Sequence, residues 1–247
     1  MKVAVVGKGG SGKTTTSAVL ARTFARSGLA TLALDCDTNP NLGLSLGYGE
    51  EATEKLVGVR QALDTGEEGH AGSMIELIDR FGVDGPDGVR LAIVSAIENP
   101  EPGCPCCGVS PERLLADMDS VEGVVVADFE AGLGTIIRMG DDPVDVVVIV
   151  AEPTAKSLEV ARRAADLVKE RGLGRVIVAA NRVRDADDLA RVRSVLPDLE
   201  VSSIPDEPAI TRAERNGVAP LDSAPDAAGV RALVELGERV LSSPISA

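Results

Sequence analysis

Apolar positions along the chain fall into two patterns. Short runs dominated by Val, Leu, Ile and Ala occur at MKVAVVG (1–7), TLALD (31–35), GVVVAD (123–128), DVVVIV (145–150) and RVIVAAN (175–181). A strand of a parallel sheet is covered on both faces and reads as a continuous apolar run, so these segments are predicted strands. RLAIVS (90–95) and EVSSIP (200–205) are weaker members of the set. Between them, TTTSAVLARTFARSG (14–28) and residues 154–171, 185–196 and 226–241 carry apolar side chains at helical spacing. Alternation of this kind predicts an α/β fold, with a mostly parallel sheet of about seven strands flanked by helices in one domain over 1–247. Residues 47–88 are rich in Gly, Glu and Asp and interrupt the alternation. They read as an irregular insertion on the rim with two short helices at most, around 54–63 and 73–80. ENPEPGCPCCGVSP (98–111) holds four Pro and two Gly, which predicts a loop without regular pairing.

Composition narrows the function. Of 247 residues, 44% are hydrophobic and 26% charged, so the chain folds around a core. Three Phe, one Tyr and no Trp make that core aliphatic and leave almost no platform for stacked bases. The formal net charge of −14 repels phosphodiester backbones and anionic lipid, which excludes nucleic acid and bare membrane as first partners. No apolar run has the length of a membrane span, and the N-terminus enters a strand without a signal-peptide layout, so the expected location is cytoplasmic. Four Cys in a chain this long cannot form a disulfide framework. Three of them, Cys104, Cys106 and Cys107, share one loop, which in a reducing compartment points to a metal. Cys36 stands apart as a small buried filler at a strand end, and the single histidine, His70, reads as a solvated loop residue.

The strongest chemical signal is Gly7-Lys8-Gly9-Gly10-Ser11-Gly12-Lys13-Thr14, which matches G-x-x-x-x-G-K-[ST] between a predicted strand and a predicted helix. Glycines let the backbone curl so that its N–H groups face phosphates, and the helix that begins there adds its positive end. Lys13 reaches the β and γ oxygens, and Thr14 and the following Thr15 complete the cradle, with Thr14 a magnesium ligand. Ligands of open α/β sheets bind at the carboxyl ends of strands, which is where Asp35-Cys36-Asp37 and Asp128 fall. Asp128 suits a magnesium-holding role, and Asp37 begins a loop able to approach the γ-phosphate and orient the attacking water. The predicted activity is ATP hydrolysis with Mg2+.

Lys8 makes KGGSGKTT resemble the deviant Walker A motif of the family that contains the nitrogenase iron protein, the Min and Par partitioning ATPases and metallochaperone ATPases. The resemblance spans nearly the whole chain. It implies that Lys8 crosses a dimer interface to the partner's nucleotide, so that Lys8, Lys13 and Asp37 form the catalytic set in a homodimer assembled on ATP or metal. A cation supplied in trans stabilises charge on a transferring phosphoryl group as an arginine finger does. Asp37 to Leu42 looks like switch I of that family and Asp128-Phe129-Glu130-Ala131-Gly132 like its switch II. Asn181-Arg182 and the segment Ile204-Pro205-Asp206-Glu207 resemble the parts that hold adenine.

Within the family, Cys104-Pro105-Cys106 followed by DFEAGLG is similar in content and order to the accessory ATPases of the CooC type, which insert nickel into carbon monoxide dehydrogenase. The resemblance implies a CxC(C) loop that binds Ni2+ or Zn2+ and a client metalloenzyme such as carbon monoxide dehydrogenase. Thiolates suit such cations, and two C-x-C pairs from two protomers would give four sulfur ligands. This sequence departs from the pattern in its third adjacent thiol, Cys107, and in Gly134-Thr135-Ile136 where a His-containing continuation is expected. PEPGCPCCG is also similar to the cysteine loop of the nitrogenase iron protein, which keeps a [4Fe–4S] electron-transfer protein as an alternative. No cysteine follows Asp128. A partitioning ATPase is the other alternative, but the C-terminal segment sets only Arg231 and Arg239 against Glu235 and Glu238 and lacks the basic face of a membrane anchor.

Overall fold

The computed structural model describes residues 1–65, 74–94, 115, 118, 122–139 and 144–242. The strands are β1 (Lys2–Gly7), β2 (Thr31–Cys36), β3 (Val83–Asp84), β4 (Val89–Ile93), β5 (Val124–Phe129), β6 (Val146–Ala151), β7 (Arg175–Val183) and β8 (Glu200–Pro205). They form one sheet in the order β3-β4-β2-β5-β1-β6-β7-β8. All neighbours are parallel except β3 against β4. The expected count of about seven is exceeded by β3 alone, because a two-residue edge strand leaves no periodic signal in sequence.

Helices α1 (Lys13–Arg26), α6 (Ala155–Arg171), α7 (Ala186–Val195) and α10 (Ala228–Ser242) follow the predicted segments closely. Residues 47–88 carry α3 (Glu50–Thr65) and α4 (Met74–Phe81), both longer than or level with the sequence expectation. Four short helices had no periodic signal: α2 (Leu42–Leu46), α5 (Gly134–Arg138), α8 (Pro208–Arg215) and α9 (Pro220–Ser223). His70 and the cysteine loop at 98–111 lie outside the described residues.

Both faces of the central strands are buried, which explains their unbroken apolar sequence. Along β1, Val3 and Val5 pack on one side with Leu20 and Phe24 of α1 and Leu233 and Leu236 of α10. Ala4 and Val6 pack on the other with Leu158, Ala161 and Val168 of α6. α10 lies against α1 and β8, so residues 228–242 of the C-terminal amphipathic segment form a packed helix. Cys36 is buried at the end of β2, as expected of a filler. β1 sits between β5 and β6, and chain connections run to both sides of it. Strand order therefore reverses at β1, and the crevice at its carboxyl end is where a ligand of such a sheet binds.

Candidate functional site: a phosphate-binding loop and its switch segments

β1 leads straight into the glycine-rich loop, and two of its glycines are there for steric reasons. A Cβ on Gly7 would lie 2.4 Å from the Val150 carbonyl oxygen on β6. Gly12 has φ of 95°, and a Cβ there would lie 2.3 Å from Asn181 Nδ2. No other residue type fits either position without displacing backbone or side chain. Ser11 N–H donates to Lys8 O at 3.2 Å and Thr16 N–H to Gly12 O at 3.0 Å, so the loop tightens and α1 begins immediately.

Lys13 is buried, and its ammonium stands 3.5 Å from the Lys8 carbonyl. Burial lowers its pKa from the ordinary lysine value, and the charges of Asp128, Asp37 and Glu130 oppose that shift. A partly desolvated ammonium facing three carboxylates is a cation prepared for phosphate oxygens. The Lys8 ammonium donates to the adjacent Gly9 carbonyl at 3.3 Å, on the solvent side of the loop.

Asp128, next to last in β5, lies beside the loop and is 2% exposed. Ser17 Oγ donates to Asp128 Oδ1 at 2.9 Å and also stands 3.0 Å from the Lys13 carbonyl. Thr14 adds a second side-chain hydrogen bond to the carboxylate. Burial pushes the Asp128 pKa up to about 6, against the lowering effect of Thr14, Ser17 and Lys13. Thr14 and Asp128 thus share one polar contact inside a dry site, and with Asp37 they are the oxygen donors available to a hard divalent cation. The donor chemistry fits magnesium. Among the described residues no three His, Cys, Asp or Glu side chains converge as a self-contained metal site.

The segments that follow β2 and β5 meet over the loop. Asp35, 1% exposed at the end of β2, accepts Leu42 N–H at 2.8 Å and Asp37 N–H at 3.2 Å, which ties down both ends of the turn between them. Asp37 Oδ1 in turn accepts Asn39 N–H at 2.9 Å. Thr38 Oγ1 donates to Glu130 Oε1 at 3.4 Å, and Gly132 N–H donates to Gly7 O at 3.0 Å. Residues from β1, β2 and β5 are therefore joined at one end of the sheet.

On the far side of the loop, Asn181, Arg182, Pro205 and Asp206 line a narrow cleft with Gly12 and Thr15. Asn181 Nδ2 donates to Ser11 O at 2.7 Å. Glu207 caps α8 by accepting Ala209 N–H at 3.1 Å. Glu214 of α8 accepts Thr15 Oγ1 at 2.7 Å and so closes the cleft against α1. Gly9, Gly10, Ser11, Gly12, Lys13, Thr14, Thr15, Asp37, Asp128, Asn181, Arg182, Pro205 and Asp206 thus lie together at the carboxyl end of the sheet. Cys104, Cys106 and Cys107 lie outside the described residues. Ser17, Glu152 and Glu214 were not singled out from sequence, since their contacts join positions far apart in the chain.

This loop on this sheet defines the class of P-loop ATPases. Residues 2–221 match the CobQ/CobB/MinD/ParA nucleotide binding domain, and the chain belongs to that family. An uncharacterized ATP-binding protein of Methanocaldococcus jannaschii, MJ0823, is 34% identical over 198 residues, which are 76% of this chain and 77% of that one. The carbon monoxide dehydrogenase accessory protein CooC of Rhodospirillum rubrum is 27% identical over 244 residues, 91% of each chain. Among solved structures, the cell division ATPase MinD of Pyrococcus furiosus aligns with a TM-score of 0.71 at 20% identity, covering 97% of this chain and 98% of that one. That similarity is one of fold.

Proposed function

We propose that this ATPase is a metallochaperone whose nucleotide-dependent homodimer binds Ni2+ or Zn2+ as cargo through the Cys104-Pro105-Cys106-Cys107 loop and delivers it to a client metalloenzyme. The observation that carries the reading is the similarity to CooC along 91% of both chains, in a chain that has its own C-x-C-C sequence ahead of switch II. A carbon monoxide dehydrogenase is the client that similarity supports.

The residues divide the work as follows. Bound magnesium would neutralise charge on the β- and γ-phosphates. Backbone N–H groups of residues 9–15 hold the phosphate chain, and Lys13 brings an ammonium that burial has already stripped of much of its water. Thr14 and Asp128 would hold that ion. Asp37 orients the attacking water in line with the γ-phosphorus. Lys8, whose ammonium lies on the solvent side of the loop, serves the nucleotide of a second copy in this reading. Hydrolysis removes the γ-phosphate contacts that hold the switch segments, and the thiolate site between the two copies opens.

Anaerobic protein titrated with Ni2+ or Zn2+, with and without a non-hydrolysable ATP analogue, tests this reading. One ion per dimer is expected, lost in a Cys104→Ser/Cys106→Ser variant. Protein that carries stoichiometric iron and acid-labile sulfide instead would make it an electron-transfer ATPase, and protein that retains neither metal contradicts both.

A further inference from the structure

Two consecutive residues at the end of β7 hold carbonyls of the phosphate-binding loop. Asn181 Nδ2 donates to Ser11 O at 2.7 Å, and Arg182 donates through one terminal nitrogen to Gly10 O at 3.3 Å. A loop that turns its N–H groups towards phosphates turns carbonyls away from them, and those carbonyls need donors of their own. The same Arg182 nitrogen lies 2.5 Å from Glu152 Oε1, just past the end of β6, where the Glu152 side chain is only 16% exposed.

The backbone is bent to make this possible. Pairing of β7 with β8 slips between Ala180 and Val183, so Asn181 and Arg182 form an irregularity in the ladder. Such bulges re-aim side chains next to functional sites. Arg182 has φ of 57°, a conformation that side-chain-bearing residues rarely adopt and that persists where the surroundings over-determine it. Asn181 Oδ1 holds it there by accepting Arg182 N–H at 3.0 Å.

We propose that Arg182 and Glu152 form a latch on the phosphate-binding loop: the ion pair fixes the Gly10 carbonyl outward and so presets the N–H groups for a di- or triphosphate chain. Arg182 is then a positioning residue that acts through the loop, whatever it contributes beside the base. The inference rests on the reading of residues 7–14 as the nucleotide site. It also makes a prediction of unusual sign. Glu152→Gln removes a negative charge near an anion site, and simple electrostatics would strengthen phosphate binding. Loss of the latch weakens it.

The test is calorimetric binding of Mg-ADP and of magnesium tripolyphosphate, which has no base, to wild type, E152Q, R182A and the double variant. Because a charge-assisted bond is about twice as strong as a neutral one, E152Q should lose roughly threefold to tenfold in affinity and R182A about tenfold or more. The loss should be the same for both ligands, and the double variant should be no weaker than R182A. E152Q that binds either ligand as tightly as wild type, or a loss confined to Mg-ADP, overturns the latch. Wild type that binds neither ligand overturns the nucleotide reading itself.

Discussion

Asp35 and Asp128 are register partners on the adjacent parallel strands β2 and β5, and both side chains are almost sealed from solvent. Burial, followed by the charge of Asp128, raises Asp35 from the ordinary 3.8 to about 7. Asp128 stands at about 6, raised chiefly by burial. A carboxyl with a raised folded-state pKa contributes stability that is complete below the unfolded value and is lost as pH rises through the folded value. The window here runs from about pH 4 to about pH 7. Nucleotide-free protein is therefore expected to be more stable at pH 6 than at pH 8, and Asp35→Asn should flatten that slope. Urea midpoints at the two pH values check this; an unchanged slope in the variant would show that Asp35 does not titrate in this range.

Arg22, on α1, is the buried charge whose loss should cost most. Its side chain is 4% exposed and donates to Asp222 at 2.7 Å through both terminal nitrogens, to Asp87 at 2.6 Å and to the Leu46 carbonyl at 3.3 Å. Removing it leaves the buried Leu46 carbonyl without this donor and Asp87 with Arg26 alone, at 2.8 Å, and Arg22→Ala should destabilise by about 2–3 kcal/mol. Asp222 is half exposed and can be rehydrated, so Asp222→Asn should cost much less. Chemical unfolding of both variants compares the two costs.

Lys13→Gln should abolish measurable nucleotide binding while leaving the melting temperature close to wild type. The ammonium is held by the Lys8 carbonyl and by carboxylates, and the glutamine amide keeps a donor for that carbonyl. Loss of a charge-assisted phosphate contact is worth at least about 2 kcal/mol. Calorimetry with Mg-ATP, paired with thermal melting, separates the two effects.

Lys8→Ala should behave differently. If Lys8 serves the second copy's nucleotide in the transition state, turnover falls by more than tenfold, roughly what one charged transition-state contact supplies, and ATP affinity changes little. A variant that hydrolyses ATP at the wild-type rate would make Lys8 an ordinary loop lysine.

The parts of this molecule legible in sequence are those whose cause is local. β6 (Val146–Ala151) and α6 (Ala155–Arg171) fall within a residue of their predicted segments because burial on both faces, or on one helical stripe, writes a legible pattern. The loop at 7–14 was legible because its glycines and Lys13 are contiguous. Helices of four to eight residues such as α9 and α8 carry too few turns for a period, although Glu207-Pro208 was a readable start signal for α8. The supporting shell was hidden for another reason. Ser17 meets Asp128 across 111 residues and Thr15 meets Glu214 across 199, and no spacing rule in a single sequence encodes such pairs. The sequence marks Arg182 only through a resemblance to base-holding segments, and its hold on the loop needed the slipped register of β7 to be seen.

Sedimentation velocity of the full chain with a non-hydrolysable ATP analogue and one equivalent of Ni2+ or Zn2+, with metal counted in the sedimenting species, tests the central claim most directly. A dimer carrying one ion per two chains is expected, and the Cys104→Ser/Cys106→Ser variant should dimerise without the ion. A protein that stays monomeric with nucleotide and metal together, or a wild-type dimer that excludes the ion, would contradict the account.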